Sequence, residues 1–333
     1  LQGEVLEQQL AYWGAQLAGL PVAHSVPFDH PRPRLQTFAG AVHHDHIDAA
    51  THGALSALCQ QTGATSFMGL YSAFAVLLAR TSNETDIVVG CPIANREQAQ
   101  VANLIGFFVN TLILRSDLSG NPGFMQLLDQ SKRMLLDAYA HQQVPFEQLV
   151  ERLQPQRVLN HSPLFQIMLV MQTHETADLA LPGLTLTPAP NQLERHTFAK
   201  FDLTLTVEES AAGMALSWEY NTDLFEADTI ARLSGHFCTL MKALVAQPEA
   251  GVYQAEMLLP AERTQLLQQW NATAHDFPRE RCIHEFFEEQ VARQPDAVAV
   301  VFEHQSLSYR ELNRRANQLA HFLVHEKGVK PDA

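Results

Sequence analysis

Two apolar runs separated by a polar loop most constrain how this chain can fold. Residues 86–90 and 107–114 are rich in β-branched and aromatic side chains, which is typical of β-strands. Asn110 and Thr111 place two polar groups inside the second run. Because a buried strand excludes polar groups that lack partners or a task, these two positions are candidates for a functional or a hydrogen-bonding role.

Composition narrows the class of protein. The 333 residues suggest about two domains, and a hydrophobic share of 46% is enough for a sizeable core. The formal net charge of −14 argues against nucleic acid or an anionic membrane surface as the main partner. Four scattered cysteines without a CxxC pair predict neither a disulfide framework nor a metal site, and they favour a cytoplasmic location. No apolar run approaches the roughly 18 residues of a membrane span.

Helical and strand periodicities alternate along the chain. Apolar spacing predicts helices at 4–17, 54–61, 66–80, 146–153, 226–246, 260–270, 283–293 and 312–323. Strand patterns occur at 38–48, 167–171, 201–207, 214–220, 297–302 and 307–309, with an irregular segment at 179–194. Another helix is predicted to begin at Asn121-Pro122, with Asn121 as the N-cap. Ser308 and Glu311 form a capping-box pattern before the last helix.

Four sequence runs together resemble condensation domains of nonribosomal peptide synthetases. The run IGFFVNTLILR at 105–115 is similar to that family's (I/V)GxFVNT…R motif, and GCPIANR at 90–96 is similar to GxPxxxR. Further on, HQQVPFE at 141–147 resembles HQDxPFE with Gln143 in place of Asp, and NHSPLFQ at 160–166 resembles the next motif. The resemblance implies an α/β fold: a half-domain of the chloramphenicol-acetyltransferase type, with a mixed sheet and flanking helices.

The C-terminal part resembles a second family. The runs LLPAER at 258–263 and WNAT at 270–273 are similar to the connector that leads into an adenylation domain, and SLSYREL at 306–312 resembles the first adenylation motif. We therefore expect the C-terminal portion of a condensation domain at 1–255 and a linker at 256–280. The truncated N-terminal beginning of an adenylation (AMP-forming ligase) domain is expected at 281–333. The chain is expected to be a fragment of a longer polypeptide.

The resemblance implies roles for two residues. In the family, the Arg of GxPxxxR is thought to pair with the Asp of a catalytic HHxxxDG motif in the other half-domain. This role falls on Arg96, for which a solvated loop arginine is the alternative. Asn110 is a candidate for a polar group lining the substrate tunnel, or for a group that satisfies the strand. No catalytic and no cofactor-binding residue is expected in this part of the chain.

A local histidine pair offers a competing interpretation. His43, His44 and Asp48 fit HHxxxD, with Ala49 in place of Gly. The family's catalytic motif lies upstream of the Tyr12-Trp13 segment, whereas this pair lies downstream of it. We therefore expect that His43 and His44 take no part in catalysis. The alternative is a stand-alone acyltransferase that uses His44 and Asp48. Adjacent residues of a strand point to opposite faces, which argues against a metal site here.

The resemblance implies a function in making secondary-metabolite peptides such as antibiotics. A condensation domain joins aminoacyl or peptidyl thioesters held on the phosphopantetheine arms of donor and acceptor carrier proteins. Phosphopantetheine therefore belongs to partner proteins, and ATP with Mg²⁺ only to a complete adenylation domain. The upstream half-domain and the downstream adenylation domain are expected in the same polypeptide, and this fragment is expected to be inactive alone. A non-catalytic docking platform for a carrier protein is a further alternative.

Overall fold

Two units make up the chain. A computed structural model describes residues 3–96, 99–102, 104–155, 158–172, 198–276 and 278–330, so the irregular segment predicted at 179–194 lies outside the described residues. The units are Leu1–Thr264 and Gln265–Ala333. Each unit has its own sheet.

Six strands among the described residues of the first unit form one mixed sheet. They are β1 (Gly40–Asp48), β2 (Asp86–Ile93), β3 (Asn110–Asp117), β4 (Ile167–Gln172), β5 (Leu203–Ser210) and β6 (Gly213–Asn221). Their order across the sheet is β1-β6-β5-β4-β2-β3. The pairs β2–β4 and β4–β5 are parallel, while β1–β6, β5–β6 and β2–β3 are antiparallel. The prediction of a mixed sheet is confirmed.

One central helix organises the core of this unit. The helices are α1 (Glu4–Gln16), α2 (Ala49–Thr62), α3 (Ser66–Ser82), α4 (Ala99–Ala102), α5 (Phe124–Ala140), α6 (Phe146–Leu153), α7 (Ala227–Ala246) and α8 (Pro260–Thr264). Every residue of α3 from Met68 to Ala79 is buried, as expected for a helix that is apolar on nearly all sides. Phe74 of α3 packs with Trp218 of β6 and Phe237 of α7, at ring-centroid distances of 6.0 and 6.1 Å.

Several predicted element starts differ from the structure, including those of α2 and β3. Helix α2 begins at Ala49 rather than at 54, because the Asp48 carboxylate caps it by accepting a hydrogen bond from the Thr51 N–H at 2.8 Å. Strand β3 begins at Asn110 rather than at 107. Phe107 is 92% exposed, so an apolar residue in the run 107–114 is not necessarily a buried one.

The N-cap predicted for α5 is wrong. The helix begins at Phe124 with Gly123 as its N-cap. Asn121 lies in the left-handed region with φ 53°, and its Oδ1 accepts a hydrogen bond from the Tyr253 N–H at 2.9 Å. The side chain therefore connects two distant segments of the chain instead of capping the next helix.

The second unit contains two α-helices, a short π-helix and a hairpin among its described residues. The α-helices and the strands are α9 (Ile283–Arg293), α10 (Tyr309–Lys327), β7 (Val298–Phe302) and β8 (Gln305–Ser308). Ser308 caps α10 through a hydrogen bond from the Glu311 N–H at 3.2 Å, so the capping role predicted for Ser308 is confirmed. The helix predicted at 260–270 is instead α8 followed by a π-helix, Gln265–Gln269.

The helices differ in length and hydropathy from a membrane span. Within the described part of the chain, no single helix is both long enough and apolar enough to cross a bilayer. Helices α2 and α3 reach the length and hydropathy of a membrane span only when they are taken together, and the chain bends by 110° at the break between them.

Gly213 provides a test of the sheet register. It opens β6 with φ 125° opposite Asp48, and a Cβ added there would overlap the Ile47 carbonyl oxygen. We expect Gly213→Ala to lower the thermal midpoint of unfolding for two reasons. An alanine is strained at this φ, and its methyl group would push β1 away from β6.

Gly53→Ala is the matched control for this substitution. Gly53 is exposed in α2 with open space around its Cα, so alanine should stabilise the helix by about 0.5–1 kcal/mol. Equal thermal midpoints for the two variants would contradict the register of β1 against β6.

Candidate functional site

A cleft of about 510 Å³ lies where the four condensation-type runs meet. Its lining comes from the end of β2, the residues around the start of β3, the residues around the start of α6, the residues before and at the start of β4, and the segment before β5. The lining includes Pro92, Phe107, Val109, Asn110, Phe146, Phe165, Met168 and Phe201. Phe146 and Phe201 pack on Phe165 at ring-centroid distances of 5.6 and 5.1 Å. Four separated sequence runs thus form one aromatic cavity.

Asn110 makes three side-chain hydrogen bonds at the wall of this cleft. Its Nδ2 donates to the carbonyl oxygens of Gln142 and Val144 at 2.9 and 2.8 Å, and its Oδ1 accepts from the Phe146 N–H at 3.1 Å. These bonds fix the segment that enters α6 against the first residue of β3. The polar interruption of the apolar run therefore has partners, and it also borders the cleft.

Arg96 organises the loop between β2 and β3. Its guanidinium donates to the carbonyl oxygens of Val101 and Leu104 at 2.6 and 2.7 Å and lies 4.3 Å from the centroid of the Phe108 ring. The same loop exposes Ile105 and Phe107 almost completely. Arg96 is thus more than a solvated loop arginine, and it holds an apolar segment outward at the edge of the cleft.

Arg115, the last residue of the same run, has a structural role. Its Nε and NH2 donate to the two carboxylate oxygens of Asp86 at 2.8 Å each, which is a bidentate pair across β2 and β3. Its NH1 also donates to the carbonyl oxygens of Gln16 and Ala18 at 3.1 and 2.8 Å. One side chain therefore joins the sheet to the C-terminal end of α1.

A buried charge network lies behind the cleft, and no local sequence pattern indicates it. The Asp202 side chain is 4% exposed and accepts hydrogen bonds from His24 Nε2 at 2.9 Å and from both terminal nitrogens of Arg32. The Val26 N–H donates to His24 Nδ1 at 3.1 Å, so the ring proton lies on Nε2. Asp202 follows Phe201 of the cleft directly, and it fixes the Pro-rich segment against the sheet.

The histidine pair, His43 and His44, lies on β1, away from the cleft. β1 is an edge strand, separated from β4 at the cleft by β5 and β6, or by about 14 Å at about 4.8 Å per strand. His44 Nδ1 is 3.0 Å from Ser217 Oγ, and Asp48 pairs with Lys242 at 3.0 Å. The hydrogen bond from the Thr51 N–H and then the one from Lys242 hold the pKa of Asp48 well below its usual range.

Neither His43 nor His44 lines the cleft. Among the residues that the structure describes, no group of three or more His, Cys, Asp or Glu side chains is arranged to hold a metal ion.

Comparisons with known families identify the family to which the chain belongs. The condensation domain family matches residues 1–267, and the AMP-binding enzyme family matches residues 287–333. The first match covers most of the chain, so the chain belongs to the condensation domain family of nonribosomal peptide synthetases and continues into the start of an AMP-binding domain.

Individual relatives are large synthetases. Malpinin synthetase of Mortierella alpina is 44% identical over 333 residues, which are 100% of this chain and 4% of that protein. Tyrocidine synthase 3 of Brevibacillus parabrevis is 38% identical over 331 residues, 99% of this chain and 5% of that protein. The chain therefore spans a small part of the curated relatives that it matches.

Solved structures support the fold. A four-domain nonribosomal peptide synthetase bound to AMP and glycine matches with a TM-score of 0.79 at 24% identity, covering 97% of this chain and 25% of that chain. The X-domain from teicoplanin biosynthesis matches with a TM-score of 0.70 at 25% identity, covering 77% of this chain and 58% of that chain. The expected condensation-type fold is confirmed.

Removing the charge of Asp202 should destabilise the first unit. Asp202→Asn keeps the shape but leaves the Arg32 guanidinium buried without its counter-charge, which costs about 3–5 kcal/mol of unfolding free energy. Urea unfolding of the parent and the variant measures this cost. Asp129→Asn removes an exposed pair with Arg133 and is the control, with an expected cost below about 1 kcal/mol. Similar costs for both variants would contradict the role of Asp202.

The same carboxylate should make stability acid-sensitive. Burial alone raises the pKa of Asp202, but the hydrogen bonds from His24 and Arg32 outweigh burial and hold the folded-state pKa below its ordinary value. The unfolded-state pKa is about 3.9. Between these two pKa values the unfolded state binds more protons, so the stabilisation is complete above about pH 5 and is lost as pH falls through the folded-state pKa. The difference in unfolding free energy between the parent and Asp202→Asn should therefore shrink as the pH is lowered. A difference that stays constant with pH would contradict the lowered pKa of Asp202.

Proposed function

We propose that this chain supplies the second half of a split active site that forms amide bonds between two carrier-bound thioesters. The observation that supports this proposal is the convergence of four condensation-type runs on one cleft. In the reaction, the amine of the acceptor attacks the thioester carbonyl of the donor. A C–N bond forms, the C–S bond breaks, the donor's arm leaves as a thiol, and the amine loses a proton.

The cleft suits a reaction limited by orientation. Holding two tethered reactants in place contributes roughly 7–11 kcal/mol, whereas a positioned histidine adds about 10²–10⁴-fold. The buried rings of Phe165 and Phe201 give the wall of the cleft an apolar surface that suits an uncharged amine and a thioester. Asn110 keeps the segment before α6 in place, which fixes the shape of that wall.

The catalytic histidine is proposed to come from the upstream half-domain, and Arg96 is proposed to face its carboxylate. The loop carbonyls that bind Arg96 hold the guanidinium at the edge of the cleft, where a second half-domain would meet it. The acyltransferase interpretation with His44 and Asp48 is not favoured. Asp48 is occupied by capping α2 and by Lys242, and both residues belong to an edge strand away from the cleft.

The proposed partners follow from this reaction. Donor and acceptor carrier proteins bring phosphopantetheine, while ATP and Mg²⁺ belong to the complete adenylation domain that the C-terminal unit begins. The division into 1–255, 256–280 and 281–333 remains a prediction, as does inactivity of this chain alone. A cytoplasmic location also remains a prediction, supported by four free thiols that a reducing compartment keeps unoxidised.

Product formation from loaded carriers tests the proposed function. Donor and acceptor carriers bearing aminoacyl groups are incubated with this chain alone and with the upstream half-domain added, and the amide is measured by mass spectrometry. We expect amide only in the presence of both halves, with no loss in His44→Ala. Amide from this chain alone that disappears in His44→Ala would overturn the proposal. Carrier binding without turnover, even with both halves, would identify a docking platform instead.

Arg96 provides a second test. Arg96→Ala removes the charge-assisted hydrogen bonds and should slow amide formation by both halves by about tenfold to a hundredfold. Arg96→Lys keeps the charge but loses the planar fork, so it should restore only part of the rate. Arg133→Ala is the control on an exposed pair and should leave the rate unchanged. Full activity of Arg96→Ala would contradict the proposed clamp.

A further inference from the structure

A second cavity of about 180 Å³ lies in the first unit, next to the cleft. Its walls are the chain segment 19–26, the end of α3, the start of β2 and the residues before β4. We call it the inner chamber. An apolar cavity of about 150 Å³ is large enough to bind benzene, so the inner chamber has room for one aromatic ring.

Phe165 forms the wall between the inner chamber and the cleft. Among the described residues, it belongs to the lining of both cavities. Alternate residues of β2 face the same side of the sheet, with Val88 at the chamber, Pro92 at the cleft and Gly90 between them. A Cβ at Gly90 would overlap three carbons of the Phe165 ring, so the ring lies directly on this glycine. The two cavities are therefore adjacent along one strand face and divided by one ring.

The backbone next to this ring is unusual. The Phe165 N–H donates to the Pro163 carbonyl oxygen at 2.9 Å across a turn centred on Leu164, whose φ is 68°. L-residues with bulky side chains rarely adopt this conformation, and its cost recurs at positions that serve a function. The ring itself is 3% exposed and rests against Phe146 and Phe201.

The chemistry of the inner chamber favours an apolar guest over an anionic one. Its polar side chains already have partners: Ser25 with Glu84 at 3.0 Å, Asp86 with Arg115 at 2.8 Å and His24 with Asp202 at 2.9 Å. The surfaces left for contact are Val26, Leu78, Ile87 and Val88 together with the Phe165 ring. An anionic guest would lose its hydration and face the carboxylates of Glu84 and Asp86, whereas an apolar side chain gains by burial.

We propose that Phe165 is a specificity-determining residue, and that the inner chamber behind it is a subsite for an apolar side chain of a carrier-bound aminoacyl group. With the ring in place the inner chamber is separated from the cleft. Displacement of the ring joins the two cavities and admits an aromatic side chain. This proposal rests on the proposed function, because the cleft must hold the aminoacyl group.

Toluene binding tests the subsite without catalysis. Toluene is titrated into the parent chain, Phe165→Ala and Phe146→Ala, and the methyl NMR signals of Leu78, Ile87 and Val88 are followed. Phe146 borders the cleft and packs on Phe165 but lies outside the chamber lining, so it is the matched control. We expect saturable shifts in Phe165→Ala, with an affinity about tenfold or more above that of Phe146→Ala. No shifts, or equal affinities in the two variants, would overturn the subsite.

Acceptor choice tests the specificity. Phenylalanyl and alanyl acceptor carriers compete for the same donor in the presence of both halves. Phe165→Ala should raise the ratio of phenylalanyl to alanyl product by about tenfold or more, and Phe146→Ala should change it less. An unchanged ratio would overturn the inference while leaving the proposed function intact. If no variant forms product, the proposed function fails, and the toluene titration alone decides the chamber. Phe165→Leu, which retains an apolar side chain, replaces the alanine variant if that variant does not fold.

Discussion

The buried carboxylate of Asp202 is the interaction on which the first unit most depends. Removing an ion from water costs several kcal/mol unless partners replace the lost hydration, and here Arg32 and His24 do so. Gln166 adds a second connection, because its Oε1 accepts from the His24 N–H at 3.1 Å and its carbonyl oxygen accepts from the Asp202 N–H at 3.0 Å. Three distant segments must therefore meet in one arrangement, and that arrangement places Phe201 and Phe165 in the cleft.

Several polar residues of the motifs have a structural role, because their side chains hold the backbone around the cleft in place. Asn110 satisfies three backbone groups, and Arg115 joins β2, β3 and α1 through Asp86 and two carbonyl oxygens. Arg96 likewise supports its own loop. This use fits chemistry in which tethered reactants have to be oriented, because a rigid wall contributes more to such a reaction than an additional acid or base.

Local patterns predict the elements that local physics determines. The alternating runs of β5 and β6, the apolar helix α3 and the apolar stripe of α7 are visible in the sequence, and all four elements form within a few residues of the predicted bounds. Long-range contacts leave no such pattern. The role of Asn121 depends on Tyr253, which is 132 residues away, and Asp202 meets Arg32 across 170 residues. Hydropathy also assigns the outward-facing Phe107 to a strand, because it does not distinguish a core side chain from one that is exposed at a site edge.

The position of the histidines bears on the proposed division of the active site between two half-domains. The chain has 16 histidines, yet none of the described residues lining the cleft is one. His43 and His44 lie on an edge strand, and His24 holds Asp202 behind the wall. Amide formation needs an acceptor for the amine proton, and the cleft lining offers aromatic rings, amides and hydroxyls together with Glu147 and Lys200 at exposed positions. A wall of this composition is suited to binding and orienting a substrate, which fits the proposal that the proton acceptor belongs to an upstream half-domain.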